Sequence, residues 1–100
     1  MGIEVLERWR APRLLLLLYK EGPLLITQIR WKLKGSQSSL YDTLKLLTEA
    51  GLIEEIFEED SWPKRRLFKL TPLGRKVAEK LAEIETILAE KGGEGGGGSR

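Results

Sequence analysis

Glycine and proline cut this chain into short segments, and the segment lengths leave room for little but helices and one hairpin. Pro12 suits the first turn of a helix, where its missing N–H is not needed, and Gly22-Pro23 ends that helix. The first helix is therefore expected at about 12–21. Lys34-Gly35 forms the next break. Gly51 sits where a helix closes on a C′ glycine, residues 60–63 (Asp-Ser-Trp-Pro) form a turn or loop, and Thr71-Pro72 reads as an N-cap followed by the first helical residue. The last helix then runs to about residue 91. Six glycines and one glutamate fill 92–98, a flexible tail outside the fold. One domain over 1–91 and a glycine-rich tail over 92–100 account for the 100 residues.

Hydrophobic periodicity fills in the segments. Residues 3–10 read as a short helix or arm, with Ile3, Leu6 and Trp9 on one face. The leucine-rich middle of the first helix, 14–18, calls for burial on several sides. Ile26, Ile29 and Leu33 mark a second helix at 26–33. Ser36 is placed to cap a third, which runs to about Ala50 with Leu40, Leu44 and Leu47 as its buried stripe. Its opposite face carries Ser38, Tyr41, Asp42, Lys45 and Glu49. Residues 52–59 read as a strand, although Ile56-Phe57 breaks strict alternation, and 64–70 as a second, with Phe68 and Leu70 on one face. Together they make a hairpin. Leu73, Val77, Leu81, Ile84 and Leu88 form a narrow apolar face along the last helix.

Composition removes several functions. The chain has no Cys and no His, so disulfides, zinc-thiolate sites and imidazole chemistry are all excluded. There is no P-loop, dinucleotide glycine fingerprint or nucleophile elbow. The paired Glu54 and Glu55 fall on a solvated strand. Neither an enzyme nor a cofactor is expected. No apolar run is long enough to span a membrane. Glu4 and Glu7 precede any apolar stretch, against a signal peptide, and the expected location is the cytoplasm, on the nucleoid.

The net charge of +2 conceals alternating blocks. Residues 1–34 are net +4, 35–60 net −6, 61–76 net +6 and 77–100 net −2. Local basic patches of this kind bind polyanions even when the total is near neutral. The fold class that follows is mainly α with a small β-hairpin wing: a winged helix-turn-helix with a long C-terminal helix. A helix fits the major groove of B-DNA with its first residues at base edges, and a hairpin beside it lays cations against phosphates or a minor groove.

Three stretches in order carry a resemblance: Ser39-Leu40-Tyr41, Ala50-Gly51-Leu52-Ile53-Glu54, and Leu70-Thr71-Pro72-Leu73-Gly74-Arg75. Over roughly residues 12–85 the chain resembles winged helix-turn-helix transcriptional regulators, best the PadR-like group, with the MarR and ArsR groups close by. The resemblance implies a DNA-binding transcription factor that dimerises through terminal helices. Two departures stand out. The usual Cys and His ligands of ArsR-type sensors are missing, and a single helix stands where larger PadR-type proteins carry a C-terminal domain.

The candidate DNA contacts are Ser36, Gln37, Ser38 and Ser39 at the start of the third helix, one of which also serves as its cap. Tyr41 either holds a phosphate or packs on the second helix, and Lys45 either touches phosphate or pairs with Asp42. Lys64, Arg65 and Arg66 either grip DNA or pair across the hairpin with Glu58, Glu59 or Asp60. The acidic first strand is expected to face away from DNA. Arg30, Lys32 and Lys34 are candidate backbone contacts. Trp31 lies on the outward side of its helix, against a dimer partner, beside DNA, or under the terminal helices. Leu81, Ile84, Ile87 and Leu88, with Leu6 and Trp9, are the expected seam of a homodimer, because the apolar face outruns a small domain's core. The partners expected are therefore double-stranded DNA and a second copy. No effector is indicated. A protein-interaction module and a structured-RNA binder are the alternatives, the first argued by the acid-rich strand.

Overall fold

The computed structural model describes residues 2–34, 37–58, 60, 62 and 64–95, the last five as backbone only. Gly35 and Ser36, expected as the turn and cap before the third helix, lie outside the described residues. So do Glu59, Ser61 and Pro63 of the hairpin turn, and 96–100 of the tail.

A 3-10 turn at Ile3–Glu7 leads into α1 (Ala11–Glu21), with Pro12 in its first turn as expected. Gly22 closes α1 at φ 82°, its N–H donating to the Leu18 carbonyl at 2.9 Å. Ala11, Leu14, Leu15 and Leu18 are buried and Leu16 and Leu17 half-buried, so α1 is covered on more than one side. β1 (Leu24–Leu25) follows, then α2 (Ile26–Leu33), α3 (Gln37–Glu49), β2 (Ile53–Glu58), β3 (Arg65–Leu70) and α4 (Pro72–Gly95).

The sequence reading has no counterpart to β1. The hairpin is in fact part of a three-stranded antiparallel sheet in the order β1-β3-β2. Leu24 stands opposite Phe68 and Leu25 opposite Leu67, while β2 pairs from Ile53 opposite Leu70 to Glu58 opposite Arg65. Gly22, at φ 82°, turns the chain out of α1, and after Pro23 only Leu24 and Leu25 remain to pair with β3 before α2 begins. Gln28 then accepts the Leu25 N–H at 2.8 Å, satisfying a donor at the helix start.

The junctions around the sheet are tightly specified. Gly51, at φ 80°, ends α3, and the Leu52 N–H donates back to the Leu47 carbonyl at 3.0 Å, a closure that satisfies otherwise orphaned carbonyls. Thr71 caps α4 by accepting the Gly74 N–H at 3.0 Å. Its own N–H donates to the Leu52 carbonyl at 3.0 Å and its hydroxyl to the Gly51 carbonyl at 2.5 Å. Gly74 lies so close that a Cβ there would stand 1.8 Å from the Leu52 carbonyl oxygen. The first turn of α4 therefore rests directly on the root of β2.

That approach displaces the expected stripe on α4. Leu73 is 52% exposed, while Gly74 and Ala78 are buried. Small residues occupy the packed face because backbone meets backbone there. Val77 and Leu81 are half-buried against the core. At its 24 residues α4 is about 36 Å long, and its backbone continues to Gly95, past the expected end near residue 91. It lies along α1, where Lys20 and Glu85 pair at 3.0 Å. One core cluster joins all the layers, from Val5 through the leucines of α1 and α3 to Leu52, Ile53, Phe68 and Ala78. Among the described residues no helix is long and apolar enough to cross a membrane.

Candidate nucleic-acid interface

The two faces of α3 divide the labour. Leu40, Thr43, Leu44 and Leu47 are buried, fixing the helix to the core by one stripe. Gln37, Ser38, Tyr41, Asp42 and Lys45 are exposed on the remainder, with Ser39 half-buried. A helix anchored this way presents a polar surface of the width a major groove admits. Tyr41 is exposed rather than packed under α2. Lys45 makes no ion pair among the described residues, so pairing with Asp42 is not seen.

The turn between α2 and α3 is strained at its first residue. Lys34 has φ 59° and ψ 177° while its N–H donates to the Arg30 carbonyl at 2.8 Å, a conformation that side-chain-bearing residues rarely adopt. Arg30, Lys32 and Lys34 are all exposed. Lys32 lies 3.4 Å from Glu21, whereas Arg30 and Lys34 have no ion pair among the described residues. Trp31 is 79% exposed beside Thr27, Gln28 and Lys32, so the terminal helices do not bury it.

The wing is different. Arg65 meets its cross-strand neighbour Glu58 at 2.6 Å, Lys69 lies 3.8 Å from its neighbour Glu54, and Arg66 pairs diagonally with Glu55. The acids of β2 do not form a separate face turned away from the cations, because successive side chains of a strand point to opposite sides and the register sets one acid beside each β3 cation. Arg65 thus pairs with Glu58, one of the partners expected across the hairpin, while Arg66 pairs with Glu55, which is not among them. Lys64 is exposed next to the hairpin turn, and Trp62 within the turn is 90% exposed.

Two apolar residues assigned to a dimer seam have work within their own chain. Leu6 and Trp9 are half-buried against the core. Trp9 with Arg8 flanks a groove of about 370 Å³ along α3, shared with Ser39, Asp42, Lys45 and Glu49. Sequence reasoning missed this neighbourhood, although Arg8-Trp9-Arg10 is a compact basic-aromatic cluster just before α1. At the other end of the molecule, Ile84, Ile87 and Leu88 are exposed. Ile84 and Leu88 join Leu81, Leu16 and Leu17 in an open groove between α1 and α4, rimmed by Arg13, Lys20 and Lys32.

Helix-turn-helix, hairpin wing and long terminal helix together make a winged helix-turn-helix. Residues 14–80 match the transcriptional regulator PadR-like family. An uncharacterised protein of Methanocaldococcus jannaschii is 38% identical over 90 residues, which cover 88% of this chain and 73% of that protein. A solved structure from Porphyromonas gingivalis W83, described as a transcriptional regulator of the MarR family, superposes with a TM-score of 0.73 at 26% identity over 88% of this chain and 85% of that one. A PadR-like transcription factor from Bacteroides fragilis does so with a TM-score of 0.65 at 28% identity over 84% and 86%. The match runs from α1 through the helix-turn-helix and wing into α4, and on that ground the chain belongs to the PadR-like family of transcriptional regulators.

Proposed function

We propose that this regulator binds duplex DNA sequence-specifically as a homodimer, with α3 in the major groove and the β2–β3 wing along the backbone or minor groove. The observation that carries the reading is the outer face of α3, where exposed Gln37, Ser38, Tyr41 and Lys45 lie opposite a fully buried stripe. Ser39 and the cations Arg30, Lys32 and Lys34 complete the contact set on this side, Ser36 is added to it from the sequence alone, and Lys64, Arg65 and Arg66 supply the wing. Ile84, Ile87 and Leu88, exposed on the second half of α4, form the seam with Leu81. A two-fold dimer requires a palindromic site whose half-sites lie one helical turn, or a multiple of it, apart.

Selection from random-sequence duplex DNA tests this reading. A palindrome should be enriched, and Ile84→Asp with Leu88→Asp should convert a dimer to a folded monomer in light scattering and weaken binding to the full site. Failure to enrich any sequence contradicts the DNA reading, and an unchanged oligomeric state in the double variant contradicts the seam.

A protein-interaction role is favoured by one observation, the pairing of β3's cations with β2's acids, which leaves the wing nearly neutral. The triple variant Lys64→Glu, Arg65→Glu and Arg66→Glu separates the two. It weakens DNA binding and lowers its salt dependence on the first reading, while on the second there is no appreciable DNA binding to lose.

A further inference from the structure

Among the described residues, only Arg10 and Lys34 carry a side chain at a left-handed φ, 52° and 59°. The two are joined. Arg10, held in that conformation immediately before α1, sends its guanidinium to the carbonyl of Leu33, the last residue of α2 and the neighbour of Lys34. The same guanidinium lies 5.0 Å from the centroid of the Trp9 ring, within cation–π range. The Trp9 carbonyl in turn accepts the hydroxyl of Thr43 at 2.8 Å. Thr43 is 2% exposed, the one buried polar side chain among the described residues, and it belongs to α3.

Two adjacent residues ahead of α1 thus hold both helices of the helix-turn-helix, Arg10 by the end of α2 and Trp9 by the middle of α3. A helix end leaves its last carbonyls without intrahelical partners, and strained backbone persists only where its surroundings over-determine it. We infer that Trp9-Arg10 is a bracket that sets the angle of α3 against α2, making Arg10 and Thr43 positioning residues for DNA readout, without contact to DNA. This rests on the reading of α3 as the element that enters the groove.

The test uses the full chain with Arg10→Met, Thr43→Val and Thr43→Ser. Amide hydrogen exchange needs no DNA. Exchange in α3 should rise roughly two- to tenfold in the first two variants, the equivalent of one hydrogen bond. It should stay at wild-type rates in α1 and α4, and Thr43→Ser, which keeps the hydroxyl, should restore α3. Uniform acceleration in all helices, or none in α3, overturns the bracket. With DNA, the ratio of affinities for selected and random duplexes should fall by the same factor while the salt dependence stays that of wild type. A salt slope reduced by about 0.9 in Arg10→Met would make Arg10 a phosphate ligand instead. If wild-type protein binds no DNA, the functional reading fails, and the exchange experiment still decides whether the bracket exists.

Discussion

The helix-turn-helix and the wing both carry clusters of lysine and arginine, but they hold those charges differently. In the helix-turn-helix, Arg30 of α2, Lys34 of the turn and Lys45 of α3 project with no ion pair among the described residues. In the wing Arg65, Arg66 and Lys69 each lie beside a glutamate of β2. A free cation near a phosphate releases a counterion on binding. A paired one must first surrender its carboxylate, and the carboxylate then faces the phosphate. A count of lysines and arginines therefore overstates the unpaired charge of the wing relative to that of the helical surface. Anchorage differs as well. The root of the wing is clamped by Thr71 and Gly74, whereas α2 and α3 meet across a strained turn held by Arg10.

The largest effect is expected where the wing is rooted. Gly74→Ala drives a methyl group into the Leu52 carbonyl and should cost about 3 kcal/mol, the upper range for overpacking, measured by chemical denaturation. A neutral result would mean that α4 can lift off β2 freely. Next in size, Arg30→Ala combined with Lys45→Ala should weaken DNA binding roughly 100-fold. That is about tenfold for each lost charge-assisted contact, and titration in fluorescence anisotropy reads it directly. Glu55→Gln combined with Glu58→Gln should strengthen binding severalfold, because it frees Arg65 and Arg66 without removing them. No gain would place the wing away from the DNA. Smallest of all, removing both members of one pair, as Glu58→Gln with Arg65→Gln, should leave affinity within about twofold of wild type. Stability should stay within about 1 kcal/mol, as for exposed ion pairs generally.

Much of this architecture is legible in the sequence because its signals are local. The stripe of Leu40, Leu44 and Leu47 fixes which face of α3 is outward, and Gly22, Gly51 and Thr71 mark helix ends through the conformations and hydrogen bonds those residues supply. What escaped reading depends on distant backbone. β1 is two residues long, too short to show a period, and exists because β3 offers an edge beside it. Gly74 is a core position without a side chain, so hydrophobic patterning moves the stripe to Leu73. Trp9 reads as an apolar residue on a free arm, yet its carbonyl is taken by Thr43, a partner 34 residues away. The charge of the wing is visible in composition. That each β3 cation has its own carboxylate follows from strand register, which no local pattern specifies.

Contact with DNA is proposed to run through the unpaired cations of α2 and α3, Arg30 and Lys45. Its most direct test is the slope of log affinity against log salt, measured side by side for wild type and for Arg30→Ala with Lys45→Ala on one duplex. The wild-type slope should be steep and should drop by about 1.8 in the double variant, at about 0.9 per phosphate. A flat wild-type slope, or a double variant with the wild-type slope intact, would contradict it.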